Sequence, residues 1–201
     1  MYTRIFALII FSLFSITSYA SDLDPKVKEY VDQLIDKSFS ILKNDNLTIE
    51  QKMEKSEELM TQNMDLEWMS KFVLGRHRRG LSLKQINDFT KIYSVYVVKS
   101  YSSAVKSYQD QDLKVKNERK INNNEYSVRT LLVTPGMEPL RIEYIIRDLG
   151  HDNFKVFDIV IEGVSLISSH QSEFSSIISN EGFDSLIKKL NEKIKYQSDK
   201  I

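Results

Sequence analysis

The chain has 201 residues, with 28 basic and 28 acidic side chains, three histidines and no cysteine. The balanced charge provides no overall field toward nucleic acid or an anionic surface. The missing cysteines exclude disulfides and thiolate zinc sites, so an apolar core alone must hold the fold.

Residues 1–20 read as an address rather than as structure. Arg4 supplies a positive start, Ile5 to Phe14 is apolar except for Ser12, and Ser18-Tyr19-Ala20 places small residues where a signal peptidase reads. The run of about ten apolar residues is half of the roughly twenty that a transmembrane helix needs. This predicts a signal peptide over residues 1–20, cleaved after Ala20, and a soluble exported domain over 21–201. Cleavage takes Arg4 and no acid, which leaves 27 basic against 28 acidic residues.

Helical periodicity runs from 25 to 109. Pro25 suits a first helical turn, and Val27, Tyr30, Val31, Leu34, Ile35, Phe39 and Leu42 recur at three- and four-residue steps as one stripe. Thr48 with Gln51 has capping-box spacing and opens a second, polar helix with Met53, Leu59 and Met60 as its apolar contacts. Asp65 opens a short helix carrying Leu66, Trp68, Met69, Phe72 and Val73, and Gly75 ends it. A second capping box, Ser82 with Gln85, starts a long helix whose tyrosine-rich face reads either as a core edge or as the wall of a ligand cavity.

Strand alternation runs from 112 to 162, with predicted strands at 112–121, 125–134, 140–148 and 153–162. In the third, Ile142, Tyr144 and Ile146 face one way. The fourth is apolar on both sides, with Phe154, Val156 and Val160 assigned to one face and Phe157, Ile159 and Ile161 to the other. An antiparallel strand of that kind must be covered on both faces. C-terminal helices over 165–197 close the chain. Strands grouped between helices predict an α+β fold, with an antiparallel sheet of about four strands packed with N- and C-terminal helices.

Catalytic chemistry finds no parts. His77, His151 and His170 lack metal-pair spacing, and no nucleophile elbow, P-loop or dinucleotide fingerprint occurs. Asp148, Asp152, Asp158 and Glu162 lie near strand ends, where solvated or capping roles account for them. The chain thus reads as a non-enzyme with no metal and no cofactor. Arg76, Arg78 and Arg79 form a basic cluster that either contacts a phosphate headgroup or a partner, or places cations at a helix C-terminus.

Four segments carry a resemblance. Phe72-Val73-Leu74-Gly75-Arg76 resembles the F-x-LGR signature of MlaC proteins, which are periplasmic phospholipid-binding shuttles also described as toluene-tolerance or ABC-transporter auxiliary proteins. Val156 to Ile167 (VFDIVIEGVSLI) is similar to the family's V-Y-D-V-x-V-E-G-V-S-L-V, Gln171 to Phe174 to its R-S-Q-F, and Gly182 to Ile187 to its G-x-D-x-L-I. The chain departs from the family at His77-Arg78, where an aromatic pair is usual, and at Gln171, where arginine is usual. Polar contacts made by those side chains in relatives are therefore not carried over.

The resemblance implies a carrier that moves phospholipid across the periplasm between an outer-membrane lipoprotein complex and an inner-membrane ABC transporter complex, which maintains outer-membrane lipid asymmetry. Contact with those complexes would be transient. The fold it implies is a strongly twisted antiparallel sheet packed with N- and C-terminal helices around an apolar cavity, in which acyl chains would lie dry with the headgroup near the mouth. At about 0.8 kcal/mol per methylene, two tails gain on the order of 20 kcal/mol over water but almost nothing over a bilayer, so a dry cavity retains lipid and still permits handoff. The lining candidates, drawn from strand and helix faces, are Phe72, Leu74, Tyr96, Tyr101, Leu132, Tyr144, Ile146, Val160, Val164 and Ile167. Each has core packing as its plainer reading. The competing functions are a transporter adaptor without a lipid-sized cavity and an exported small-molecule enzyme with a polar pocket.

Overall fold

The chain's capping chemistry sets most helix starts. In the computed structural model, which describes residues 24–108 and 110–198, Asp24 caps α1 (Pro25–Leu42). Thr48 and Gln51 close a reciprocal capping box on α2 (Ile49–Asn63). The Asp65 carboxylate accepts from the Trp68 N–H at the start of α3 (Leu66–Leu74). Ser82 and Gln85 form a second box on α4 (Leu83–Ser102). Each of these side chains satisfies backbone N–H groups that a helix's first turn leaves without partners. The long tyrosine helix stops earlier than its periodicity predicts: α4 ends at Ser102 and a 3-10 turn, Ser103–Ser107, follows. The signal-peptide expectation lies outside the described residues.

The strands are β1 (Asp112–Lys120), β2 (Glu125–Val133), β3 (Leu140–Asp148), β4 (Phe154–Ile161) and β5 (Val164–Ser165), followed by α5 (Leu166–Glu181) and α6 (Phe183–Ser198). They pair antiparallel in the order β1-β2-β3-β4-β5. The sheet has one strand more than the sequence predicts. β5 is two residues long, too short for an alternation signal, and a turn at Glu162-Gly163 with positive φ at both residues folds it back onto β4.

Register divides the sheet into two faces. Tyr126, Val128 and Thr130 of β2 stand opposite Ile146, Tyr144 and Ile142 of β3. Ile142 and Tyr144 in turn stand opposite Ile161 and Ile159 of β4. Between Ile145 and Ile146 the register slips: Ile145 faces Asp158, whereas Ile146 faces Val156. That bulge breaks strict alternation in β4. Val156 and Ile159 consequently share the inner face, and Val160, paired with Glu143, points to the outer one.

The outer face of β4 packs on helices. Phe157 meets Trp68 edge-on at 5.0 Å, and the Arg147 guanidinium lies 4.4 Å from the Trp68 ring and 4.2 Å from that of Phe157 while pairing with Glu125 at 2.7 Å. Beyond this layer α4 and α5 form a ring cluster of Phe89, Tyr93, Tyr96, His170 and Phe174. Asp158, buried in this layer, accepts from the Ile159 and Ile167 N–H groups and from the Ser165 hydroxyl. One carboxylate thereby ties β4 to the start of α5.

Gly75 ends α3 at φ 50° and ψ −128°, and a β-carbon there would sit 3.0 Å from the Gln171 side-chain nitrogen. That nitrogen donates to the Phe72 carbonyl at 2.7 Å. Gln171 thus acts as a C-terminal cap for α3, and the space it fills requires glycine at 75. Gly75→Ala should cost about 1–3 kcal/mol, read as a lower urea midpoint. Gly80→Ala, which has open space around it, should stay within about 0.5 kcal/mol of the parent. Equal midpoints for the two variants would refute this account of the turn.

Candidate functional site

The stripe of α1 is only partly spent on the core. Val27 and Val31, near the helix start, are its buried residues. Leu34, Ile35, Phe39 and Leu42 continue the stripe over the inner face of the sheet and bound a cavity of about 410 Å³, within the range of ordinary ligand pockets, about 300–1,000 Å³. Leu59, Met60 and Met64 form a second wall along and just beyond α2. Tyr101, Ala104, Val105 and Tyr108 form a third at the end of α4 and the turn after it. The floor is the inner sheet face: Leu113, Leu132, Ile142, Tyr144, Ile146, Val156 and Ile159.

No aspartate, glutamate, lysine, arginine or histidine is among the lining residues. The polar ones are Ser38, Ser56, Asn63, Ser107 and Gln111, together with the tyrosine hydroxyls. Ser38 and Asn63 spend their donors inside their own helices, on the Leu34 and Leu59 carbonyls at 2.8 Å. Burial pushes the phenols of Tyr101 and Tyr144 up to about 12, so both stay neutral at ordinary pH. Such a lining offers hydroxyls and amides but no carboxylate, imidazole or amine to act as general base or metal ligand. Among the described residues no cluster of three or more His, Asp or Glu side chains could hold a metal ion. A second groove of about 310 Å³ between α5 and α6 differs in kind, because Glu173, Lys189, Glu192 and Lys193 line it.

The ten lining candidates from the sequence divide as follows. Tyr101, Leu132, Tyr144 and Ile146 line the cavity. The other six stand elsewhere, each for a physical reason. Phe72 stacks on Trp68 at 5.1 Å, on the outer side of the sheet. Leu74 is buried core at the end of α3, and Ile167 is buried core at the start of α5. Tyr96 packs into the helical ring cluster against His170 and Phe174. Val160 is turned outward by the bulge. Val164 lies in the short edge strand, 62% exposed. The lining residues of α1 and α2 were present in the sequence as apolar stripes, but nothing in a stripe tells a helix facing core from one facing a void.

Arg76, Arg78 and Arg79 are exposed on the 3-10 segment Gly75–Gly80. None of them is among the residues that line the cavity. His77 bonds the Ser175 hydroxyl on α5 at 2.9 Å, so the segment is braced against the helical side of the molecule.

Among the described residues no helix is long and apolar enough to cross a membrane. The chain is similar to the intermembrane phospholipid transport system binding protein MlaC of Haemophilus influenzae, 24% identical over 132 residues, which are 64% of this chain and 62% of that protein. The match therefore spans less than two thirds of that relative's length. The fold is similar to that of a phospholipid-binding protein from Ralstonia solanacearum solved in complex with a phospholipid, with TM-score 0.71, 20% identity, and coverage of 89% of this chain and 99% of that one. The family model described as MlaC protein matches residues 32–192, a stretch that contains all four segments of the resemblance, and the chain accordingly belongs to the MlaC family.

Proposed function

We propose that this protein is a periplasmic phospholipid carrier that takes lipid tails into the cavity between α1, α2 and the sheet and moves them between outer- and inner-membrane complexes. The observation that carries this reading is a chamber of about 410 Å³ whose lining contains no Asp, Glu, Lys, Arg or His. Hydrocarbon gains about 0.8 kcal/mol per methylene on leaving water for such a lining, and almost nothing relative to a bilayer. The cavity therefore retains cargo in water and releases it where membrane lipid is within reach. Neutral phenols at Tyr101 and Tyr144 add polarity without charge, which suits the ester region of a lipid whose headgroup stays near the mouth.

Membership in the MlaC family, a relative named for intermembrane phospholipid transport and a similar fold solved with phospholipid support the same reading. An outer-membrane lipoprotein complex and an inner-membrane ABC transporter complex are the partners this reading requires. The enzyme alternative lacks convergent acids, bases and nucleophiles in the chamber. The adaptor alternative leaves an apolar cavity of about 410 Å³ without a purpose.

Native mass spectrometry of the exported protein, purified without detergent, is the direct test. The expected spectrum shows a mass increment matching phospholipid, with the same lipid recovered by extraction. A bare protein that also takes no labelled phospholipid from vesicles would overturn the carrier and favour the adaptor.

A further inference from the structure

We infer that the 3-10 segment Gly75–Gly80 is a membrane-docking tip that binds anionic phospholipid headgroups at a bilayer surface, separately from the lipid cavity. Three guanidinium groups, Arg76, Arg78 and Arg79, are exposed within four residues of chain. Among the described residues, no ion pair or hydrogen bond engages their side chains. The cations that flank the segment are spent: Lys71 pairs with Glu67 at 2.5 Å and Lys84 with Asp88 at 2.6 Å. The overall charge of the protein is zero, so this is a local patch and not part of a general basic field. Side chains three apart in a 3-10 turn eclipse each other, which puts Arg76 and Arg79 on one side.

The segment is built to hold that arrangement. Gln171 locks the Phe72 carbonyl behind it, His77 is bonded to Ser175, and the Leu81 N–H returns to the Arg78 carbonyl. Bracing at both ends means little order remains to be gained on docking, which lowers the cost of binding. Just beyond the segment, Leu83 is 80% exposed, more than any other large apolar residue among those described. Four residues of chain from Arg79 reach at most about 14 Å. Three exposed guanidinium groups and one exposed leucine close by in the chain match an interfacial surface, where cations meet phosphate and an apolar side chain enters the acyl boundary. A protein interface of lasting affinity would want a desolvated aromatic or aliphatic centre with charge at its rim, and this patch has charge at its centre. Because no residue of the segment lines the cavity, docking through it leaves the chamber free to load or unload.

The test is co-sedimentation of the exported protein with vesicles of phosphatidylcholine alone and of phosphatidylcholine mixed with phosphatidylglycerol. The expected result is binding to the mixed vesicles at low salt and its loss at about 1 M salt, where the screening length falls to about 3 Å. R78E/R79E should lower partitioning at least about thirty-fold, from about 1 kcal/mol per basic residue. L83S should lower it by a smaller factor, and both variants should keep their cavity lipid by native mass spectrometry. Equal binding to pure phosphatidylcholine, binding that survives high salt, or undiminished binding by R78E/R79E would each overturn the proposal. No binding to either vesicle would overturn it too and would assign the arginines to an acidic protein surface. Loss of cavity lipid in the parent protein is a separate outcome that strikes the carrier reading and leaves the docking tip standing.

Discussion

Ile159→Glu is expected to empty the cavity of lipid, and Val160→Lys, one residue further along β4, is expected to leave it loaded. The two positions are adjacent and both are half-buried. They differ in the face they present. Ile159 stands opposite Tyr144 and lines the chamber. Val160 stands opposite Glu143 on the outer side, where Arg129 also approaches Glu143 at 3.3 Å. A charge set against hydrocarbon costs about 2.5–3.5 kcal/mol on membrane-insertion scales, which is roughly a hundredfold in lipid affinity. At 160 the lysine meets a carboxylate and water. The signs of the two charges are chosen so that the outer variant avoids repulsion with Glu143. A charge of either sign is foreign to an apolar chamber, so the contrast tests the face alone. Lipid occupancy by native mass spectrometry, together with circular dichroism to establish folding, checks the pair. Lipid retained by a folded Ile159→Glu protein would show that this wall does not meet cargo.

The same two residues show where sequence stops being legible. Strict alternation puts Val160 with Val156 and sets Ile159 against them, and it would hold in a regular strand. The bulge at Ile145 and Ile146 exchanges the faces, and nothing in the residues of β4 announces it, because both faces of that strand are apolar. β3 is clearer: Ile142, Tyr144 and Ile146 alternate with Arg141, Glu143 and Arg147, with Ile145 alone breaking the polar row, and the three apolar residues of the other row do line the chamber. Helix α4 gives a similar lesson. Tyr96 and Tyr101 both sit in one tyrosine-rich stretch, but five residues at about 100° each separate their directions by roughly 140°. One faces α5 and α6 and the other the cavity. Capping boxes, by contrast, were readable at once, because their chemistry is local. A cavity is a property of what several elements fail to fill, and no one segment encodes it.

His170 is expected to make the fold lose about 2 kcal/mol between pH 7 and pH 5, and about 3 kcal/mol by pH 4. Its ring is buried between Phe174, stacked at 5.5 Å, and Tyr93, whose hydroxyl meets its Nδ1 at 3.1 Å. Burial lowers its pKa to about 4, Glu173 opposes that shift, and Lys193 adds to it. In the unfolded chain the ordinary value is about 6.5. Between the two values the unfolded state binds a proton that the native state refuses, so stability is complete above about 6.5 and falls as the pH drops toward 4. The carboxylates held down by partners, such as Glu162 beside Arg141, contribute their losses mainly below about 4.5, and the interval from 7 to 5 therefore isolates the histidine. His170→Gln keeps a group that can bond the Tyr93 hydroxyl and removes the titration. It should be less stable at pH 7 through lost stacking on Phe174, and its urea midpoint should be flat from pH 7 to 5. A parent protein whose midpoint does not move across that interval, or a variant that moves as much as the parent, would show that the ring is not held neutral by the α4–α5 core.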